Sequence, residues 1–79
     1  MQIAYFPFEV FVPIEEEESF LGRITIHQIG KIYNSEIDIV HVETKKIFEH
    51  VGIIYSLDNP DEALKLAVEK LSRFLRNEK

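Results

Sequence analysis

The side chains of this sequence best suited to chemistry are its three histidines and the carboxylates near them. His27, His41 and His50 carry imidazole, which serves as a general base or a metal ligand at neutral pH. A metal site needs three or four converging ligands, and Glu43 or Glu49 would have to supply the others. The sequence contains none of the patterns H-x-x-H, H-x-H or H-E-x-x-H. We therefore predict no metal site and no cofactor.

The expected strand pairing also separates two of the histidines. Asn34 and Ser35 are the expected turn between the second and third strands, because both side chains bond readily to local backbone groups and Asn tolerates a positive φ. Pairing around that turn places His27 opposite Val42 and next to His41. Neighbouring positions along a strand point to opposite faces, so the two imidazoles would not converge.

Other catalytic patterns are also missing. The sequence has no cysteine, which excludes disulfides, thiolate zinc sites and a cysteine nucleophile. No serine lies in G-x-S-x-G, and the three glycines are isolated, so no phosphate-binding loop is present. Glu36, Asp38 and Glu43 could be paired as acid and base, but a solvated strand face shows the same pattern. We expect a non-enzymatic protein, and the alternative is a metal- or ligand-dependent enzyme built on His27, His41 and nearby carboxylates.

Negative charge is concentrated in the first quarter of the chain. The net charge is −5, and residues 1–20 contain five acids and no Lys or Arg. Four of these acids form the run Glu15, Glu16, Glu17 and Glu18, which we expect to be a solvated loop between two strands. An acidic surface repels phosphate, so the sequence disfavours nucleic acid as a partner and favours a protein with a basic surface.

Aromatic residues keep a nucleic-acid-binding sheet as a second alternative. Tyr5, Phe11, Tyr33 and Tyr55 could stack on bases. However, the chain has only four basic residues before residue 58, too few to surround these rings with positive charge. We therefore interpret the rings as filling a thin core.

The distribution of residue types predicts a β region followed by a helix. Sixteen of the 17 Ile and Val residues precede Asp58, whereas four of the six leucines follow it. We predict strands over about residues 3–14, 20–33, 36–44 and 47–57 and a helix over about 60–77. Short polar connections predict an antiparallel meander of three to four strands, packed on one face by the single C-terminal helix, in one α+β domain over residues 1–79.

Two strands have a clear phase. The even positions from 4 to 14 are all apolar, which predicts one buried face. Pro7 and Pro13 lie on the other phase and cannot donate to a ladder, so we predict an edge strand or a strand that is broken near its ends. In strand four, one phase contains Ile47, Val51, Ile53, Tyr55 and Leu57, and His50 shares the other phase with Phe48, Gly52 and Ile54.

The residues at the start of the predicted helix match the preferences of a helix N-terminus closely. Asn59 suits the N-cap, Pro60 suits the first helical position, and Glu62 falls three residues after the cap. The apolar residues beyond it recur at helical spacing. They are Ala63, Leu64, Ala67, Val68, Leu71, Phe74 and Leu75.

This passage resembles one known family. Residues 55–64, read as Tyr-Ser-Leu-Asp-Asn-Pro-Asp-Glu-Ala-Leu and continued by the amphipathic stretch to Leu71, look like the strand-to-helix passage of small HicB-like antitoxin domains. The resemblance implies a strand that leads into a C-terminal helix. The family's Gly-aromatic strand and Pro-Asp-Leu-Pro-Gly turn have no counterpart in this sequence, so we assign no family from it.

A sheet covered by one helix leaves its other face free for a partner. We expect Tyr5, Phe11, Val40 and Val42 on that face, and a small chain that exposes apolar residues generally uses them for association. We therefore predict a homodimer formed by sheet faces or edge strands, in an interaction module of the antitoxin, inhibitor or accessory type. No apolar run approaches the about 18 residues of a membrane span, and no basic leader segment is present, so we expect a soluble cytoplasmic protein.

Overall fold

The computed structural model describes residues 5–77. Its elements are β1 (Phe8–Ile14), β2 (Glu17–Ile29), β3 (Ile32–His41), β4 (Ile47–Leu57) and α1 (Pro60–Asn77). The four strands form one antiparallel sheet in chain order, and α1 packs against β2, β3 and β4. This arrangement confirms the predicted meander with a C-terminal helix. Residues 3 and 4 of the first predicted strand lie outside the described residues.

Strand β1 has the predicted alternation. Its residues are half-buried and exposed in turn from Phe8 to Ile14, with Phe8, Val10 and Val12 turned toward the core. The strand forms one edge of the sheet and pairs with β2. Proline can occupy an edge strand because no neighbour there requires its missing N–H, which explains Pro13 within β1.

The turn between β2 and β3 differs from the prediction. Ile29 pairs with Ile32, so the chain reverses at Gly30 and Lys31, and the turn expected at Asn34 and Ser35 was wrong. Gly30 has a φ of 61°, and a positive φ at the first of two turn residues is typical of a type II′ hairpin. Because the turn comes earlier in the chain than expected, every residue of β2 has a different partner on β3 from the one predicted.

Strand β4 carries three irregularities that the sequence periodicity could not reveal. Its register against β3 shifts between Tyr33 and Ser35, between Ile37 and Asp38, and between Ile39 and Val40. At each shift β4 has one more residue than β3, the arrangement of a β-bulge. The bulges therefore interrupt the predicted phase of strand four: Val51 and Leu57 pack against the core together with Ile54 of the other phase, whereas Ile53 is exposed.

The core lies between α1 and the sheet face it covers. Its buried apolar residues are Ile24, Ile26, Ile37, Ala63, Ala67 and Leu71. Gly22 allows the close approach of helix and sheet, because a Cβ built there would lie 2.5 Å from Cδ2 of Leu71. The helix therefore depends on small residues at its contacts as well as on large apolar ones.

Polar contacts fix the first turn of α1. Asn59 Oδ1 accepts a hydrogen bond of 2.8 Å from the Glu62 N–H, which confirms Asn59 as the N-cap. Ser35, fully buried on β3, donates a hydrogen bond of 2.8 Å from Oγ to the Ala63 carbonyl. The residue predicted to form a turn thus anchors the helix to the middle of the sheet.

Candidate functional site

The candidate site lies on the sheet face that α1 does not cover, which we call the open face. Strand pairing brings charged residues of neighbouring strands together there, because Arg23 pairs with Asp38 and Asp38 pairs with His50. We call these residues and their charged neighbours the charged cluster. Its members are Glu9, Arg23, His27, Glu36, Asp38 and His50.

Asp38 is the centre of the charged cluster. Its side chain is fully buried, and the two oxygens have different partners. Arg23 Nη2 lies 3.1 Å from Oδ2, and His50 Nδ1 lies 2.8 Å from Oδ1. Both partners are partly exposed, so they cover the carboxylate while contacting water themselves.

Opposing effects act on the pKa of Asp38. Burial raises the pKa because it disfavours the charged form, whereas the side chains of His50, Glu36 and Arg23 lower it. The net direction is downward, so Asp38 is a carboxylate at neutral pH.

The outer members of the charged cluster are held more loosely. Glu9 Oε2 lies 3.9 Å from Arg23 Nε, and Glu36 Oε1 lies 3.6 Å from His27 Nε2. Within residues 5–77, the buried Nε of Arg23 has no hydrogen-bond partner. These outer contacts are long enough that the side chains can rearrange around a ligand.

Three members of the charged cluster present donor atoms of the kind that bind metal ions. One oxygen each of Glu36 and Asp38 and one ring nitrogen of His50 lie within 4.8 Å of one another. Imidazole and carboxylate are the usual nitrogen and oxygen ligands of zinc. The alternative drawn from the sequence used His27 and His41, whereas the structure places His50 with the carboxylates of Glu36 and Asp38.

The strand register explains why His50, and not His41, lies in the charged cluster. The corrected turn places His27 opposite Asn34 rather than Val42. His41 packs on Phe20 and Phe48, with ring centroids 5.2 and 5.6 Å away. The β4 bulge near Val51 brings His50 opposite Asp38, and no periodic signal in the sequence predicts a bulge.

A shallow groove of about 380 Å³ runs beside the charged cluster. His27, Asn34 and Glu36 form its polar side, and Phe6, Ile53 and Tyr55 form its apolar side. A groove with mixed walls next to a charged centre can hold a small ligand or a side chain of a partner.

The outer edge of β4 carries exposed apolar side chains. Among the described residues, no strand pairs with that edge, because β4 ends the sheet order. The exposed fractions are 52% for Ile47, 56% for Phe48, 37% for Ile53 and 65% for Tyr55. Strand β4 therefore offers a partner both unpaired backbone groups and exposed apolar side chains.

The four residues expected on a free apolar face have different environments. Tyr5 and Phe11 are exposed, Val42 is half-buried, and Val40 is fully buried. Val40 therefore cannot contact a partner directly as expected. The β3–β4 loop folds back at this end, with Lys45 Nζ 5.8 Å from the centre of the Phe11 ring.

The acidic run forms a turn and the start of a strand. Glu15 and Glu16 make the turn, whereas Glu17 and Glu18 belong to β2, and all four are exposed. The Val42 N–H donates a hydrogen bond of 2.9 Å to the Ser19 carbonyl, so the β3–β4 loop lies against this end. We call the surface formed by Glu15–Glu18 and Glu43 the acidic end.

Comparison of the chain with protein-family models, with characterised proteins and with solved structures gave no match. Within residues 5–77, no helix combines the length and the apolar composition required to cross a membrane.

Proposed function

We propose that this chain is a non-enzymatic interaction module that acts as a homodimer, in which β4 of one copy pairs with β4 of a second copy. The observation that carries the proposal is the eleven-residue β4, which ends the sheet and exposes Ile47, Phe48, Ile53 and Tyr55. An edge strand presents unpaired N–H and C=O groups that can bond to another strand.

The other edge of the sheet is less suited to pairing. Strand β1 has seven residues, contains Pro13 and follows Pro7 directly. Proline lacks the N–H that a ladder requires, and prolines commonly block edge strands. Strand β4 contains neither proline nor lysine, the two residues that most often protect an edge.

A twofold axis next to β4 would make the contact self-complementary. Antiparallel pairing of two identical strands satisfies the same groups in each copy, and C2 dimers are the commonest soluble oligomers. The bulges bend β4 and limit the length of a ladder between copies. The exposed apolar side chains must therefore supply much of the contact.

The substitution Ile47→Lys tests the edge contact. We expect the wild-type chain to be a dimer by light scattering and Ile47→Lys to be a monomer, because the ammonium group would be buried against the second copy. The matched control is Ile29→Lys, which changes the same residue type at similar exposure, 56% against 52%. Ile29 lies on β2 at the end of the sheet opposite to Ile47, where it lines the groove of the open face.

The control also separates the two contacts predicted from the sequence. Loss of the dimer in Ile29→Lys with retention in Ile47→Lys would show pairing through the open face and would contradict the edge proposal. A monomeric wild-type chain at micromolar concentration would contradict the homodimer itself.

The acidic end is the proposed contact for a second protein. In that interaction the chain would act as an antitoxin, an inhibitor or an accessory protein. Its five carboxylates are exposed at one end of the sheet, and Lys45 and Lys46 offset them only in part. The partner would have a basic surface, and binding would weaken as salt rises. Replacing Glu15–Glu18 with glutamine should weaken that binding and leave the dimer intact.

A further inference from the structure

Three donor side chains lie close together on the open face, two of them on β3 and one on β4. We propose that Glu36, Asp38 and His50 form a binding site for one divalent transition-metal ion, with Zn²⁺ as the ion that this donor set suits best. Two carboxylates and one imidazole favour zinc over magnesium and calcium, which prefer sites built from oxygen alone.

The donor atoms lie within a few tenths of an ångström to about 1–2 Å of the separations that a single ion requires. Zinc binds nitrogen and oxygen at about 2.0–2.2 Å, so two of its ligands lie roughly 3–3.6 Å apart in a tetrahedral site. His50 Nδ1 and Asp38 Oδ1 are 2.8 Å apart, and the three donors lie within 4.8 Å of one another. Glu36 and His50 are both partly exposed, so their side chains have room to adjust around an ion.

The backbone and Arg23 position the central ligand. Glu36 and Asp38 are two residues apart on β3 and therefore share a face, and His50 is the direct partner of Asp38 on β4. Arg23 bonds to Oδ2 of Asp38 and leaves Oδ1 directed at His50. Ligands that are held by strands and by hydrogen bonds of this kind are oriented before the ion arrives.

The charge of the cluster also favours a cation. Glu9, Glu36 and Asp38 are three carboxylates, and Arg23 is the one guanidinium beside them. When both imidazoles are neutral, two negative charges remain, which one divalent ion neutralises. The ion would replace the hydrogen bond between His50 and Asp38, and His50 would bind it through Nδ1 with the proton on Nε2.

Three protein ligands leave one tetrahedral position free. Water or a ligand can occupy that position, as at zinc sites with three protein ligands. Glu36 also lines the neighbouring groove of about 380 Å³, so a ligand of the ion would have a place to lie. His27, 3.6 Å from Glu36 Oε1, is in a position to orient Glu36.

Calorimetric titration of the chelator-treated full chain with Zn²⁺ at neutral pH tests the site. We expect one equivalent per chain with micromolar or tighter affinity, and no saturable binding of Mg²⁺ in the same buffer. The variants His50→Gln and Glu36→Gln should bind Zn²⁺ at least roughly tenfold more weakly, since even indirect partners of a metal contribute this much. Both side chains are partly exposed, so either variant can decide the question if the other fails to fold.

His41→Gln is the matched control, because His41 packs with Phe20 and Phe48 away from the cluster. It should bind Zn²⁺ as the wild type does, and Zn²⁺ should shift the ¹⁵N resonance of His50 Nδ1 without shifting those of His41. The Ile47→Lys variant should keep the site, which separates this test from that of the dimer. No saturable Zn²⁺ binding by the wild type, or unchanged affinity in both His50→Gln and Glu36→Gln, would overturn the proposal.

Discussion

Asp38 combines full burial with a negative charge, and its neighbours make that combination stable. Its carboxylate lies 3.1 Å from Arg23 Nη2 and 2.8 Å from His50 Nδ1. Burying an unpaired carboxylate is costly, and charge-assisted hydrogen bonds of this kind offset the cost. Removal of one partner from such a pair leaves the other charge buried and uncompensated.

Acid should therefore destabilise the wild-type chain through Asp38. Because the folded-state pKa is below the ordinary value of 3.8, the charged form stabilises the fold above that pH. This contribution should be lost as the pH falls through the lower folded-state pKa. Denaturant unfolding measured from neutral to acidic pH should show the loss, and Asp38→Asn should show a flatter acid dependence.

At neutral pH, Asp38→Asn should lower the free energy of unfolding by about 3 kcal/mol, because Arg23 keeps its charge without a carboxylate. Glu9→Gln is the control, since Glu9 is 47% exposed and 3.9 Å from Arg23. Its effect should stay within about 0.5 kcal/mol. Equal effects of the two substitutions would contradict the central role of Asp38.

At the scale of elements, the close approach of α1 to the sheet depends on two glycines. A Cβ at Gly22 would lie 2.5 Å from Leu71 Cδ2, and one at Gly52 would lie 2.7 Å from Lys70 Cε. The two neighbours differ in freedom, because Leu71 is 2% exposed whereas Lys70 is half-buried with a flexible stem. A Cβ at Gly22 should therefore cost more stability than a Cβ at Gly52, although the two contact distances are similar.

Gly22→Ala should destabilise the chain by about 1–3 kcal/mol, since Leu71 has no free space and the helix must shift. Gly52→Ala should cost less than about 1 kcal/mol, because the Lys70 side chain can move aside. Thermal and denaturant unfolding of both variants measure the difference. If Gly52→Ala is the more damaging of the two, the packing argument for Leu71 is wrong.

At the scale of the whole molecule, a 79-residue chain has a small core, and oligomerisation is one of the ways in which small domains gain stability. Ligands and partners that bind the folded state stabilise it by mass action, and a second copy is such a partner. The proposed dimer should therefore stabilise the folded chain in addition to doubling its size in solution.

The melting temperature of the wild-type chain should rise with protein concentration, because dilution favours the monomer. Ile47→Lys should melt at the same temperature at all concentrations, and Ile29→Lys should behave as the wild type does. Differential scanning calorimetry over a hundredfold range of concentration measures both. A wild-type melting temperature that does not change over this range would contradict a dimer in equilibrium with its monomer.

Local sequence alone determined the type and order of the elements. The alternation in β1, the β-branched residues before Asp58 and the capping pair Asn59-Pro60 act over a few neighbouring residues, so each could be predicted from the chain. The N-cap at Asn59 and the edge position of β1 were predicted for this reason.

Tertiary structure decided which side chains meet. The turn at Gly30 and the bulges of β4 fix the register, and a shift of one residue moves a side chain to the other face of the sheet. His50 consequently lies beside Asp38, and Val40 is buried instead of free. Such positions depend on packing among residues far apart in the chain, which no local pattern of amino acids encodes.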